Sequence, residues 1–210
     1  MAGSGTTLDV ARELDRRALG YDLAPVRPDV FKVDARKLPP ELTGKVQIVF
    51  IDPPYSTHLD YSPDPRCIGK LDATSAHDNG QAYFAAMDQV LSEAARVLKP
   101  GGTLAIYVSD SYHHARPPTP PRFAPIAQRL WTCAEQAGLV GIDWIAVIRQ
   151  NANLNKPNFH KAAQQQGFLL RGFNHLLLLR KPSTPSPVSS KRRTAAHRPS
   201  TPQPRKATQP

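Results

Sequence analysis

An α/β fold built on a doubly wound parallel sheet is predicted by three observations. Short apolar runs alternate with helical patterns along the first 180 residues, as βαβ units require. Residues 46–51 (VQIVFI) are apolar and β-branched apart from Gln47, which suits a strand buried on both faces. Residues 80–98 place Phe84, Met87, Leu91, Ala94, Ala95 and Leu98 at helical spacing.

The elements follow in order. A helical pattern runs from the Gly/Ser/Thr start through Leu19, and residues 18–23 (ALGYDL) and 29–33 read as short strands. After the strand at 46–51 and the helix at 80–98, Lys99-Pro100-Gly101-Gly102 stops the helix, and residues 103–108 (TLAIYV) form another strand. Residues 123–137 read as a helix closed by Gly138, and residues 140–148 and 172–179 as the last two strands. Three long connections, 52–79, 110–121 and 151–171, are predicted without regular structure. Connections of that length are usually functional or disordered, and these fall on or near one rim. Ligands of such sheets sit at the carboxyl ends of the strands, near the switch point.

The chain has 210 residues, one domain of ordinary size, and a formal charge of +10 from 27 Lys/Arg against 17 Asp/Glu. From Lys181 to the end there are seven Lys/Arg, seven of the 22 prolines, and no acidic or aromatic residue. Such a segment cannot bury enough apolar surface to offset its ordering entropy. The expected division is therefore a folded domain over 1–180 and a disordered basic tail over 181–210. No run approaches the ~20 apolar residues that span a bilayer, and no signal peptide is visible, so no membrane partner is expected. Cys67 and Cys133 alone make neither a disulfide framework nor a thiolate zinc site, and a reducing, cytoplasmic setting fits. No internal repeat is present.

The first motif is Ala2-Gly3-Ser4-Gly5-Thr6-Thr7 before a helix. Its glycines let backbone pass close to a ligand at the helix N-terminus; alone it reads as well as a flexible chain start. Asp22, about 20 positions on at the end of the second strand, strengthens it, because a carboxylate there can accept both hydroxyl hydrogens of a ribose. Asp34 ends the next strand on the same rim. Either aspartate by itself equally fits a helix cap or a turn.

The strongest motif is Asp52-Pro53-Pro54-Tyr55, delivered to the rim by the buried strand. Elsewhere Asp-Pro-Pro is ordinary turn chemistry. An exocyclic amine on a base is a poor nucleophile because its lone pair is delocalised into the ring. The Asp52 carboxylate and the Pro53 carbonyl can each accept one amine hydrogen, which draws the nitrogen toward tetrahedral geometry and frees the lone pair. Proline fixes φ and offers no competing N–H. Tyr55 presents a flat face, and base–aromatic stacking is worth roughly 1–3 kcal/mol. That offsets part of the few kcal/mol needed to extrude a base from a duplex.

With these residues in place, the set AGSGTT, GYD, VDA, DPPY and KPGG resembles the S-adenosylmethionine-dependent amino-methyltransferases that act on adenine N6 or cytosine N4 in DNA. The order, glycine loop before DPPY, matches one permuted group of them. The strings STHLDYSPDPRCIGKL (56–71) and RGFNHLLLLRK (171–181) are similar to bacterial and phage DNA methylases. The resemblance covers about residues 1 to 181, and it implies a Rossmann-like class I methyltransferase sheet with helices on both faces. It also implies S-adenosyl-L-methionine as cofactor and duplex DNA with a flipped base as partner. Ala2, Gly3 and Gly5 would pass under the methionine part of the cofactor. Asp22 would hold the ribose; Asp34, with Ala35, would lie by the adenine. Asp52, Pro53, Pro54 and Tyr55 would hold the target amine. The loop 56–79 would lie over the base or the DNA, with His58, Asp60, Tyr61 and Arg66 as weaker candidates. Nothing in this mechanism requires a metal, and His113, His114 and His160 read as surface histidines.

One departure stands out. Members of that family carry, before the glycine loop, a strand ending in Asp-Pro-hydrophobic, and this sequence begins with Met at that hydrophobic position. The expected sheet lacks its central first strand, which exposes unpaired N–H and C=O groups on both neighbours. A start codon assigned downstream of the true one is the favoured explanation, ahead of a segment supplied by a partner chain or a decayed remnant.

The loop 151–171 carries Asn151, Asn153, Asn155, Asn158, Lys156, His160, Lys161 and three glutamines. These suit base edges and phosphates and equally an ordinary solvated loop. Lys191-Arg192-Arg193, Arg198, Arg205 and Lys206 in the tail would attract polyanions or simply aid solubility. Two alternatives to DNA methylation remain open: methyl transfer to RNA or to a protein amide nitrogen, and a truncated, inactive subunit that binds nucleic acid or a partner.

Overall fold

The structure, a computed structural model, describes residues 1–57, 59–113, 122–150 and 157–183. His58, His114, Asn151, Asn153, Asn155 and Lys156 lie outside the described residues, as does the expected tail from residue 184 on, with Lys191, Arg192, Arg193, Arg198, Arg205 and Lys206.

Helix α1 (Thr6–Glu13) begins after Gly5 and stops short of the expected Leu19. The chain turns at Asp15, whose φ of 53° is left-handed, while Asp15 N–H and Arg16 N–H close back on the Arg12 and Ala11 carbonyls. Strands β1 (Gly20–Asp22) and β2 (Val30–Lys32) form a parallel pair. Strand β3 (Val46–Ile51) pairs in parallel with β4 (Leu98–Val108) across helix α2 (Gln81–Val97). Lys99-Pro100-Gly101-Gly102 is not a separate stop between helix and strand. It bulges within β4, where the pairing jumps from Val46↔Leu98 to Ile48↔Thr103.

Regular structure enters all three connections predicted to lack it, the first only as a 3-10 turn at Ile68–Lys70. Strands β5 (Ser111–His113) and β6 (Arg122–Ala124) pair antiparallel and lead into helix α3 (Ile126–Gln136). Between β7 (Val140–Ile148) and β8 (Phe173–Arg180) lies helix α4 (Pro157–Gln166). Pro157 opens α4 where its lost N–H costs nothing, and Ala162, Ala163 and Gln164 favour helix.

The main sheet runs β3-β4-β8-β7 and is mixed, because β8 inserts antiparallel between β4 and β7. The pair β1–β2 stands as a separate sheet, and among the described residues no strand joins β1 to β3. That break lies where the absent first strand was expected.

Helices α2 and α3 cover one face of the main sheet. Tyr83, Met87, Leu91 and Ala94 of α2 and Ile126, Leu130 and Ala134 of α3 pack with Leu104 and Ile106 of β4 and with Leu177 and Leu179 of β8. Each large apolar side chain so buried contributes about 1.5–3 kcal/mol. On the opposite face Ile48 (62% exposed), Phe50 and Ile145 remain open to solvent. Because β3 and β4 are parallel, Asp52 and Asp110 emerge on the same rim, beside the start of β8.

Candidate active site

A cavity of about 600 Å³ opens between the N-terminal glycine segment and the end of β3. Its wall includes Ala2 and Gly3, Asp22, Asp34 and Ala35, and the whole run Asp52, Pro53, Pro54 and Tyr55. Tyr61 and Arg66 also line it; Asp60 does not.

Gly5 stands apart. It is buried at the N-cap of α1 with φ 84°, and it faces Arg27 instead of the cavity. A Cβ at Gly5 would lie 2.8 Å from Arg27 Nη1. Arg27 is clamped in turn: Nη1 donates to Asp9 at 2.6 Å and to the Ser4 carbonyl at 3.2 Å, and Nε and Nη2 donate to Asp29 at 3.0 and 2.9 Å. The guanidinium therefore ties the start of α1, the glycine segment and the approach to β2 together. Asp9, Arg27 and Asp29 were not legible as a unit, since no sequence spacing links them.

Asp22 is held from the glycine side. Its Oδ2 accepts Gly3 N–H and its Oδ1 accepts Ala24 N–H, both at 3.0 Å, and the Met1 ammonium stands 3.7 Å away. Burial works against ionisation, but these donors outweigh it and keep the carboxyl below its ordinary range. Asp34 accepts a bidentate Arg36 guanidinium at 3.0 and 2.7 Å, which also lowers its carboxyl. Its Oδ1 also accepts Arg36 N–H at 3.0 Å, so the lone pair left to spare is on Oδ2.

Asp52 is accessible at the cavity wall, yet the surrounding atoms crowd it enough that desolvation raises its carboxyl above the ordinary value. The Tyr55 hydroxyl donates to Asp52 Oδ1 at 2.7 Å and counters part of that rise. Burial, then the bond to Asp52, pushes the Tyr55 hydroxyl well above its usual range.

The corner is braced by residues the motif does not contain. Tyr83 donates to the Pro54 carbonyl at 2.8 Å, and Tyr61 Oη accepts Tyr55 N–H at 3.4 Å. Ser56, at φ 70°, donates to Asp72 at 2.9 Å and accepts Ala73 N–H at 2.8 Å. Further along the rim Asp110 accepts Ala127 N–H at the start of α3 and meets His175 Nε2 at 3.2 Å, while Trp144 Nε1 donates to His175 Nδ1 at 2.8 Å. Arg66 is paired with Asp64, His113 is half-buried in β5, and His160 is exposed on α4. Among the described residues no three His, Cys, Asp or Glu side chains gather as a metal site.

A family model described as DNA methylase, for N6 and N4 methyltransferases, matches residues 46–199. No curated protein matches the chain. Among solved structures, a candidate DNA modification methylase of Thermus thermophilus, complexed with S-adenosyl-L-methionine, is 21% identical. The match covers 72% of this chain and 52% of that one, with a TM-score of 0.50. A chain in the complex of the Haloferax volcanii Trm112 methyltransferase activator with its candidate methyltransferase is 17% identical, covers 87% of this chain and 80% of that one, and also has a TM-score of 0.50. At these identities the likeness establishes the Rossmann-like methyltransferase fold. The chain spans about half the length of the Thermus structure.

Proposed function

The chain belongs to the DNA methylase family, and from that premise we propose that it transfers a methyl group from S-adenosyl-L-methionine to the exocyclic amine of adenine or cytosine in duplex DNA. One observation carries the reading: Gly3, Asp22 and Asp34 share a single cavity with Asp52, Pro53, Pro54 and Tyr55.

The residues fit the cofactor. The volume suits a ligand of that size. Nothing lies within 4 Å of where a Gly3 Cβ would stand, so backbone is open to the cavity there. The Asp22 carboxylate is ionised at neutral pH and fixed by two backbone donors. Ala2 and Gly3 would flank the methionine part, Asp22 would accept ribose hydroxyl hydrogens, and Asp34 and Ala35 would border the adenine. When bound, the cofactor supplies an electrophilic methyl group on a sulfonium.

The chain's own residues prepare the nucleophile. The Asp52 carboxylate and the Pro53 carbonyl each accept one amine hydrogen of an extruded base, and the lone pair is drawn out of conjugation. Asp52, whose carboxyl desolvation raises above its ordinary value, is suited to take the proton that the amine gives up on methylation. Tyr55 supplies the stacking face. The basic tail over 181–210 adds sequence-independent attraction to phosphate, about −0.9 of log–log salt slope per phosphate on duplex DNA. A further N-terminal segment or a partner chain belongs to the proposal, because β1 and β3 are left unjoined.

The test is transfer of tritiated methyl groups to duplex DNA, RNA and protein side by side. DNA is expected to be labelled, and Asp52→Ala to abolish labelling while calorimetric binding of S-adenosylmethionine is kept. Undiminished transfer by that variant would remove Asp52 from the chemistry, and label entering RNA or protein alone would change the substrate.

A further inference from the structure

We propose that Tyr83 is a positioning residue for the acid–diproline–aromatic corner. Its buried hydroxyl holds the Pro54 carbonyl toward the core and so fixes where Tyr55 stands relative to Asp52. The consequence for catalysis rests on the methyltransferase reading; the holding of the corner does not.

Tyr83 is 0% exposed. It sits in the first turn of α2, on the stripe that continues through Met87, Leu91 and Ala94 into the core. Its ring meets Phe84 edge-on at 5.0 Å. Phenylalanine would fill that space as well, and a buried hydroxyl is costly unless it is paired. The pairing found is with Pro54 O at 2.8 Å.

Proline explains why one hydrogen bond there matters. The ring fixes φ of Pro54, so the direction of its carbonyl, and with it the path into Tyr55, depends on a single remaining torsion. Tyr83 fixes that torsion from below. Beyond it Tyr61 receives Tyr55 N–H, and Ser56 anchors the left-handed turn on the segment 72–73. Tyr61 lines the cavity and Ser56 carries the backbone turn itself. Tyr83 does not line the cavity; the hydrogen bond by which it reaches the site is the one to the Pro54 carbonyl.

The experiment compares wild type, Tyr83→Phe and Tyr55→Phe by carbon-13 NMR titration of aspartate carboxyls in the full chain, with Asp52 assigned from Asp52→Asn. Tyr83→Phe is expected to move the Asp52 titration to higher pH by at least half the displacement caused by Tyr55→Phe, because the Tyr55 hydroxyl falls out of register. Methyl transfer should drop about tenfold in kcat, with KM for the cofactor unchanged, as misplacement of a reacting group requires. A purely structural hydroxyl would lower the melting temperature and leave the Asp52 titration at its wild-type position, which overturns the proposal. A second measurement needs no variant: the Tyr83 hydroxyl proton of the wild type should exchange with water far more slowly than that of Tyr61. Equal exchange overturns the proposal too. Should wild type methylate nothing, the functional reading fails, while the two NMR measurements still decide the role of Tyr83.

Discussion

Tyr55 Oη lies 2.7 Å from Asp52 Oδ1, so two members of the acid–diproline–aromatic turn are bonded to each other before any base arrives. The contact lowers an Asp52 carboxyl that desolvation has raised. Acceptance of an amine hydrogen needs the carboxylate, so activity should fall as pH drops through the Asp52 titration. Tyr55→Phe removes the lowering contact and keeps the stacking ring. The acid limb of the pH–rate profile should therefore move to higher pH, and superimposable profiles for the two proteins would show that the bond does not matter.

Gly3 and Gly5 both have positive φ, 51° and 84°, but they differ in what surrounds them. A Cβ on Gly3 meets nothing within 4 Å, whereas one on Gly5 meets Arg27, which two aspartates hold in place. Gly3→Ala should cost stability only through backbone strain, on the order of 1 kcal/mol, although its Cβ would enter the cavity proposed for the cofactor. Gly5→Ala should cost more and weaken S-adenosylmethionine binding as the clamp is displaced. Pairing it with Arg27→Ala should return part of the loss, since the obstruction is gone. Denaturant melts and calorimetry on the three variants measure both effects, and equal losses of stability for the two glycines would contradict the clamp.

Much of this arrangement was legible because it is local. The β3 run and the α2 spacing carry their periods in contiguous residues, and the DPPY turn is reached directly from β3, so its rim position followed. The break between β1 and β3 was legible from what precedes Gly3 in the resemblance. Helix α4 was hidden because its only apolar spacing, Phe159, Ala162 and Ala163, covers little more than one turn of a mostly polar segment, and the β5–β6 pairing because it joins residues 111–113 to 122–124 across a long connection. The antiparallel placement of β8 is a tertiary outcome, set by which edge of β4 was free. Gly5 shows the same limit: its motif pointed at a ligand, and only the fold brings Arg27 against it. Tyr83 left one signal, a tyrosine on an otherwise apolar stripe, whose hydroxyl had to find a partner.

The segment before β3 is held to α2 by charge. Glu93 accepts Leu38 N–H at 2.7 Å and Arg96 Nε and Nη2 at 2.7 Å each, and Arg96 donates to the Leu38 carbonyl at 2.9 Å. The Arg96 bond, ahead of the burial that opposes it, keeps Glu93 below its ordinary value. A carboxyl lowered on folding contributes stability above its unfolded value and loses that contribution as pH falls through its folded one. Glu93→Gln should therefore destabilise by about 1 kcal/mol at neutral pH, and the gap to wild type should close as the solution is acidified past the glutamate range. Urea melts across pH measure it, and a gap independent of pH would mean that packing, not ionisation, carries the contact.

The two faces of the main sheet should respond oppositely to substitution. Leu177 points into the layer formed by α2 and α3 and is fully buried, so Leu177→Ala should cost about 2–5 kcal/mol through lost burial and a cavity. Ile48 and Ile145 lie on the other face, 62% and 38% exposed, where the β-branched shape is useful but little apolar area is removed from water. Ile48→Thr with Ile145→Thr keeps the branching and should change stability by less than about 1 kcal/mol. It should also reduce self-association and binding of a hydrophobic dye, because exposed apolar patches on a sheet with an open edge are adhesive. Light scattering and dye fluorescence at matched concentrations read the second effect. If the double variant instead melts like Leu177→Ala, that face is covered in solution, and the open surface assigned to β3 and β7 is wrong.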